Sequence, residues 1–131
     1  MLATKSILLP REDSDGTRIS IMSRHTLNDG ITPDPRITPG SYDEWMPDLA
    51  PPARLLGDYY KRGLHWEQFE QRYCDYLQRP EVAARVQNIA VLGLASVITL
   101  LCIEELPNHC HRRLLAEECK RYQPHLSLVI R

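Results

Sequence analysis

The most restrictive feature of the sequence is the uninterrupted apolar run VITLLC, Val97–Cys102. A run of strand length without polar alternation is typical of a strand covered on both faces, as in a parallel sheet between helices. A helical pattern follows at His109–Tyr122 and a second apolar run at Leu126–Ile130. This order predicts a βαβ unit, which is right-handed by default. We therefore expect an α/β fold, with a small, open, mostly parallel sheet flanked by helices.

The first half of the chain supplies further elements of the same fold class. Lys5–Leu9 and Arg18–Ser23 read as short strands joined by a turn-rich segment, either as a hairpin with a long connection or as two separate sheet strands. Three helical patterns follow, around Leu55–Tyr60, at Trp66–Leu77, and through Val82–Ala90 with Gly93 placed to end the helix. The 131 residues are expected to form a single α/β domain, residues 1–131.

A proline-rich segment, residues 25–52, interrupts this pattern and holds six of the ten prolines. Long segments with little periodicity are uncommon inside a compact domain and often serve as functional loops or covers. The alternative is an irregular arm that Trp45 and Leu49 pack against the domain.

Composition and charge exclude several classes of protein. A net charge of -1 argues against a general nucleic-acid binder. The apolar stretch Ile89–Ile103 is shorter than the ~20 residues of a membrane span. The first residues contain no apolar run long enough for a secretory signal, so the four cysteines are expected to be reduced and the protein cytoplasmic.

The junction between the apolar strand and the last helix is the candidate site. Ligands of open α/β sheets usually lie beyond the carboxyl ends of the strands, where Cys102 is expected. Asn108 is a credible N-cap, which places His109, Cys110 and His111 in the first helical turn and Arg112 just after it. Cations are unfavourable there by about 0.3–1 kcal/mol each, so a bound anion would compensate them.

Internal pairing is the rival explanation for this basic helix start. The carboxylates available nearby are those of Glu104, Glu105 and Glu117. The sequence alone leaves both explanations open.

Cys110 is the candidate catalytic residue at this junction. A thiol in a first helical turn, beside histidine and arginine, is expected to have a lowered pKa and nucleophilic character. The alternative is an inert thiol that begins the buried stripe continued by Leu114, and His111 likewise fits a packed, hydrogen-bonded role. Consecutive helical residues point about 100° apart, so the His–Cys–His run is poor for one tetrahedral ion, and no metal site is predicted.

Four segments together resemble one known family. They are DGTRISIMSR (Asp15–Arg24), DEWMPDLAPPARLLGDYY (Asp43–Tyr60), WEQFEQRYCDYL (Trp66–Leu77) and LLCIEELPNHCHRRLLAE (Leu100–Glu117). In that order they resemble the YeaO-like family, the domain of unknown function numbered 488. The resemblance implies a compact bacterial α/β domain without a settled biochemical activity.

The resemblance also selects residues by position. Those that match the family pattern are Arg18, Arg24, Asp43, Trp45, Cys102, Cys110, His111 and Arg112. One loop departs from it: Arg24 is followed by HTLNDG, where the family commonly continues with an Arg–Leu–Trp–Pro–Arg–Gly type of loop. If that loop forms part of a ligand site, this protein binds an altered ligand or binds more weakly.

Three functions remain open from the sequence. The first is an anion-binding cleft at residues 102–113 for a phosphate or nucleotide group, formed by Arg24, His109, His111 and Arg112, with thiol-dependent or phosphate-directed chemistry if it is an enzyme. The second is a non-catalytic interaction or regulatory domain that uses the proline-rich segment as a surface for a protein partner. The third is nucleic-acid contact through arginines that share a face. No membrane partner is expected, and the sequence leaves the identity of any cofactor unknown.

Overall fold

The computed structural model describes residues 1–131 and contains one open sheet of five parallel strands. The strands are β1 (Leu2–Ser6), β2 (Thr17–Ser20), β3 (Glu44–Trp45), β4 (Ile98–Cys102) and β5 (Leu128–Val129). Their order across the sheet is β3-β2-β4-β1-β5. The expected α/β fold with a small open sheet is thereby confirmed.

Strand β4 lies in the middle of the sheet, as its uninterrupted apolar sequence predicts. All five of its residues are buried, and it pairs with β1 on one side and β2 on the other. The two early strands are therefore separate sheet strands and not a hairpin. Strand β1 lies earlier than the predicted Lys5–Leu9, because the chain turns after Ser6 and leaves Leu8 and Leu9 exposed.

Four helices cover one face of the sheet. They are α1 (Ala53–Arg62), α2 (Trp66–Leu77), α3 (Pro80–Ala95) and α4 (His111–Tyr122). Leu2, Ile19 and Leu100 on this face join the buried stripes of all four helices in one core of 19 residues. Helix α3 continues past Gly93, although the sequence predicts that it ends there. The buried glycine instead lets the helix approach Leu126 closely, since a Cβ atom at position 93 would lie 2.9 Å from the Leu126 Cδ1 atom.

Loops, and not helices, cover the opposite face of the sheet. That face carries Lys5 and Arg18, whose buried side chains form ion pairs with Asp15 at 3.1 Å and 2.6 Å. Thr99 donates to the Asp15 backbone carbonyl at 2.7 Å. Because this face carries buried polar side chains, they need hydrogen-bond partners. A loop rich in carboxylates and carbonyls supplies those partners, whereas an apolar helix would not.

The proline-rich segment contributes more than an irregular loop. It carries the edge strand β3, which pairs with β2, while Leu49 is fully buried in the core. Most of its remaining residues are exposed, and Trp45 retains 44% of its surface. None of the helices has the length and apolar character needed to cross a membrane.

Helix α4 begins later than predicted. Its N-cap is Cys110, whose backbone is extended at φ -135° and ψ 138°, and Asn108 lies in the preceding loop. Cys110 is therefore not a residue of the first helical turn. This shift of the helix start decides the geometry of the site.

Candidate functional site

Two thiols and one imidazole meet at the carboxyl edge of the sheet. Cys102 ends β4, Cys110 caps α4 and His111 is the first residue of that helix. Their two Sγ atoms and a ring nitrogen of His111 all lie within 4.8 Å of one another. The extended backbone at Cys110 turns its side chain out of helical spacing, so the 100° separation assumed from the sequence does not hold here.

The ring of His111 is oriented by a carbonyl on a neighbouring strand segment. Its Nε2 atom lies 2.7 Å from the Ile21 backbone oxygen. Since a carbonyl oxygen only accepts, Nε2 carries a proton, and in the neutral ring Nδ1 keeps a free lone pair. That Nδ1 atom lies 3.7 Å from the Cys102 Sγ atom. His111 therefore presents its Nδ1 atom to Cys102.

The two thiols differ in acidity. The hydrogen bond from Cys110 lowers the pKa of Cys102 against the opposing effect of burial, and the backbone amides of Glu104 and Ile103 and the charge of Arg112 act in the same direction. The same thiol–thiol hydrogen bond, followed by burial, raises the pKa of Cys110 against the opposing effect of His111, which therefore acts on both thiols. The sequence singled out Cys110 as the nucleophile; the structure adds Cys102, whose Sγ atom faces the His111 Nδ1 atom at 3.7 Å.

Arg112 is fully buried and serves the protein itself. Its guanidinium donates to the carbonyl oxygens of Glu104 at 2.7 Å, Glu105 at 3.3 Å and Arg131 at 3.1 Å. One of its amino groups also lies 3.3 Å from the Cys110 Sγ atom. Most of its donors are thus occupied, and its charge lies beside the thiols.

The structure does not gather the other two predicted anion ligands around Arg112. Arg24 is exposed and donates to the Gly30 carbonyl at 3.4 Å within the proline-rich segment. His109 is exposed and stacks on Trp66 with 4.8 Å between ring centres. Internal pairing is found for one cation of the junction, because Arg113 lies 2.9 Å from Glu117.

Arg18 and Asp43, carried over from the family resemblance, lie on the opposite face of the sheet. Arg18 is buried in the ion pair with Asp15 and donates to the Ser41 carbonyl at 2.9 Å. The Asp43 carboxylate accepts from the Arg18 amide at 2.8 Å and pairs with Arg11. These contacts attach the proline-rich segment to the sheet, so both residues have structural partners.

Trp45 belongs to a second cluster that sequence reasoning did not find. Its Nε1 atom donates to the Met22 carbonyl at 2.7 Å, and its ring lies 4.4 Å from that of His25. The His25 Nε2 atom is 2.7 Å from the Ser20 Oγ atom. His25 opens the divergent HTLNDG loop, and this departure was the one signal that pointed to it.

The loop between β4 and α4 covers the thiols. Its Glu104 carboxylate accepts a hydrogen bond from the Tyr60 hydroxyl at 2.6 Å, which ties the loop to α1. Cys102 and Cys110 retain only 4% and 2% of their surface. Both sulfur atoms are therefore shielded from solvent.

A cleft of about 430 Å³ opens next to the covered thiols. Met22 and Ile103 line its inner side, and Ile103 directly follows Cys102 in the chain. The outer side comes from the proline-rich segment and includes the Asp34–Arg36 ion pair. Met22 and Ile103 also pack with Cys102 and Cys110, so they lie between the cleft and the thiols, which do not line it.

Comparison with known proteins identifies one relationship. The family model DUF488-N3a, described as the active DUF488-N3 subclade, matches residues 2–123. No curated protein and no solved structure matches the chain.

Proposed function

This chain belongs to the DUF488 family, and on that premise we propose that the β4–α4 junction is a thiol active site acting on a small anionic substrate. The observation that carries the proposal is the placement of the His111 Nδ1 atom 3.7 Å from the Cys102 Sγ atom, with Nε2 fixed by the Ile21 carbonyl. A nucleophile, a base and a third group that orients the base form the arrangement common to enzymes with covalent intermediates. The matching subclade is described as active, in accord with such a site.

The proposed reaction is attack of the Cys102 sulfur on a phosphorus or carbonyl carbon atom. His111 accepts the Cys102 proton at Nδ1, and the new sulfur bond forms as the substrate bond to its leaving group breaks. The proton then passes from Nδ1 to the leaving group. Water releases the product from the sulfur in a second step and regenerates the thiol.

Anionic substrates suit the surroundings of Cys102. The backbone amides of Ile103 and Glu104 and the charge of Arg112 already stabilise negative charge on its sulfur. The same donors are placed to stabilise negative charge on a phosphoryl or acyl oxygen attached to that sulfur. The binding role first expected of Arg112 thus becomes an electrostatic one.

The test is intact-mass spectrometry of the reduced chain after incubation with phosphate esters, acyl phosphates and nucleotides. A covalent adduct that maps to Cys102 and is absent from Cys102→Ser supports the proposal. Thermal melts with phosphate, sulfate and nucleotides, against chloride at matched ionic strength, identify the ligand class; a ligand at 100 times its dissociation constant adds about 2.7 kcal/mol. An adduct formed equally by Cys102→Ser, or no adduct and no selective stabilisation across the panel, would refute it.

One observation favours the second function, a non-catalytic interaction domain. The proline-rich segment exposes Leu27, Trp45 and Ile31, the last with 83% of its surface accessible. Exposed apolar side chains on one segment are typical of a surface that binds a protein partner. Under this alternative, Ile31→Asp abolishes partner binding and leaves the reactivity of Cys102 unchanged.

A further inference from the structure

We propose that Cys102, Cys110 and His111 also form a three-coordinate site for a monovalent soft metal ion, Cu(I). The inference goes beyond the proposed thiol chemistry and does not depend on it. It rests on the positions of three ligand atoms, on the charges around them and on their burial.

The ligand atoms are spaced as one ion requires. The Cys102 Sγ atom and the His111 Nδ1 atom lie 3.7 Å apart, and no pair in the set exceeds 4.8 Å. In a trigonal arrangement, metal–sulfur and metal–nitrogen bonds of about 2.3 Å and 2.0 Å would place such atoms about 3.7–4.0 Å apart. Small side-chain rotations therefore bring all three atoms onto one ion.

The surroundings of the ligands are those of a metal site. Histidines that bind metals usually donate their other ring N–H to a carbonyl or carboxylate, which fixes the ligating nitrogen. His111 does so through Nε2 to the Ile21 carbonyl at 2.7 Å. The amides of Ile103 and Glu104 donate to Cys102, and Arg112 donates to the Cys110 sulfur at 3.3 Å.

Charge selects the ion. Two thiolates carry a charge of about -2, and the fully buried Arg112 contributes +1. A monovalent cation makes the cluster neutral, whereas a divalent one leaves an unpaired positive charge in a buried site, which is costly. Thiolates are soft ligands that select Cu(I), and Zn(II) in structural sites almost always takes four ligands.

Burial completes the argument. Cys102, Cys110 and His111 retain 4%, 2% and 7% of their surface, and the loop held by Tyr60 and Glu104 covers them. Such a site shields a bound ion from water. Since copper would occupy the sulfur that attacks the substrate, the metal-loaded protein cannot carry out thiol chemistry, and the two states exclude one another.

The experiment is an anaerobic transfer of copper to the reduced full chain from the Cu(I) complex of bathocuproine disulfonate. The loss of colour of this complex measures the transfer. One equivalent is expected to transfer. Cys110→Ser is the informative variant, because it removes one sulfur ligand and keeps the helix capped. Cys110 is the N-cap of α4, and serine is a preferred residue at that position. It should remain folded by circular dichroism and lose stoichiometric transfer, as should His111→Gln, while Cys74→Ser retains it.

Three results would overturn the copper proposal: no transfer to the wild-type chain, full transfer to folded Cys110→Ser, or stoichiometric Zn(II) binding that Cu(I) does not displace. Alkylation of Cys102 in the copper-free chain is measured in parallel. A reactive Cys102 without copper transfer refutes the metal site and leaves the thiol proposal standing. Copper transfer to a chain whose Cys102 is unreactive refutes the thiol proposal and leaves the metal site standing.

Discussion

The Nδ1 atom of His111 lies 3.7 Å from the Sγ atom of Cys102, and the contact joins the first residue of α4 to the last residue of the central strand. The opposite nitrogen of the ring is held by Ile21, 90 residues away in the sequence. The position of this pair therefore depends on contacts between segments that are far apart in the sequence.

Among the three buried thiols, Cys102 should be the most reactive toward iodoacetamide, because its pKa is lowered, whereas its hydrogen bond raises the pKa of Cys110 and burial raises that of Cys119. His111→Gln removes the base and should slow modification of Cys102 by about 10²-fold, the lower end of a general base's contribution. Peptide mass spectrometry of partially alkylated protein provides the rates. Faster labelling of Cys110 than of Cys102 would contradict the assignment.

Tyr60→Phe should accelerate alkylation of Cys102. The substitution removes the 2.6 Å hydrogen bond to Glu104 that ties the covering loop to α1. The free energy of unfolding should fall by no more than about 1 kcal/mol, the usual contribution of one hydrogen bond. Tyr59→Phe, on the adjacent residue of the same helix, is the matched control and should leave the rate unchanged.

Arg112→Lys should lower the free energy of unfolding by about 3 kcal/mol, since hydrogen bonds from charged groups contribute about 1.5–3 kcal/mol each. A lysine keeps the charge but cannot span the carbonyls of Glu104, Glu105 and Arg131. Arg113→Lys serves as the control, because its pair with Glu117 at 2.9 Å is partly exposed. Urea denaturation measures both, and equal losses would refute the structural role assigned to Arg112.

Asp15→Asn should lower the free energy of unfolding by about 3–5 kcal/mol at neutral pH, because it leaves Lys5 and Arg18 buried without their carboxylate. The exposed Asp13→Asn should have little effect. Both variants are compared with the wild-type chain by urea denaturation.

The loss caused by Asp15→Asn should also depend on pH. Burial tends to raise the pKa of Asp15, but hydrogen bonds from the Glu12 amide, Arg18 and Lys5 outweigh it, so the net pKa is lowered. The stabilisation from this carboxylate is then fully present above the unfolded pKa of about 3.9 and is lost as the pH falls through the folded value. The difference between wild type and variant should therefore shrink below about pH 4. A difference that is constant with pH would show that Asp15 does not act as a carboxylate.

Several features of the fold were predictable because they depend on local patterns. The apolar run at β4 required a position covered on both faces, and the aromatic stripe of Trp66–Leu77 is helix α2 to the residue. The two early strands were found but not their pairing, since nothing in their own sequences shows that β4 lies between them. The sequence also does not reveal that only one face of the sheet is covered by helices.

The sequence by itself determined that the fold is α/β and that cysteines, histidines and arginines are concentrated between a central strand and the last helix. Only the tertiary structure decided what those residues do. Cys110 is extended where the sequence predicted a helical residue, and the partners of the neighbouring Arg112 include Arg131, 19 residues away in the sequence. His111 faces Cys102 because Ile21 accepts from the other side of its ring. Such contacts join residues distant in sequence, and the positions of their atoms follow only once the sheet has brought those segments together.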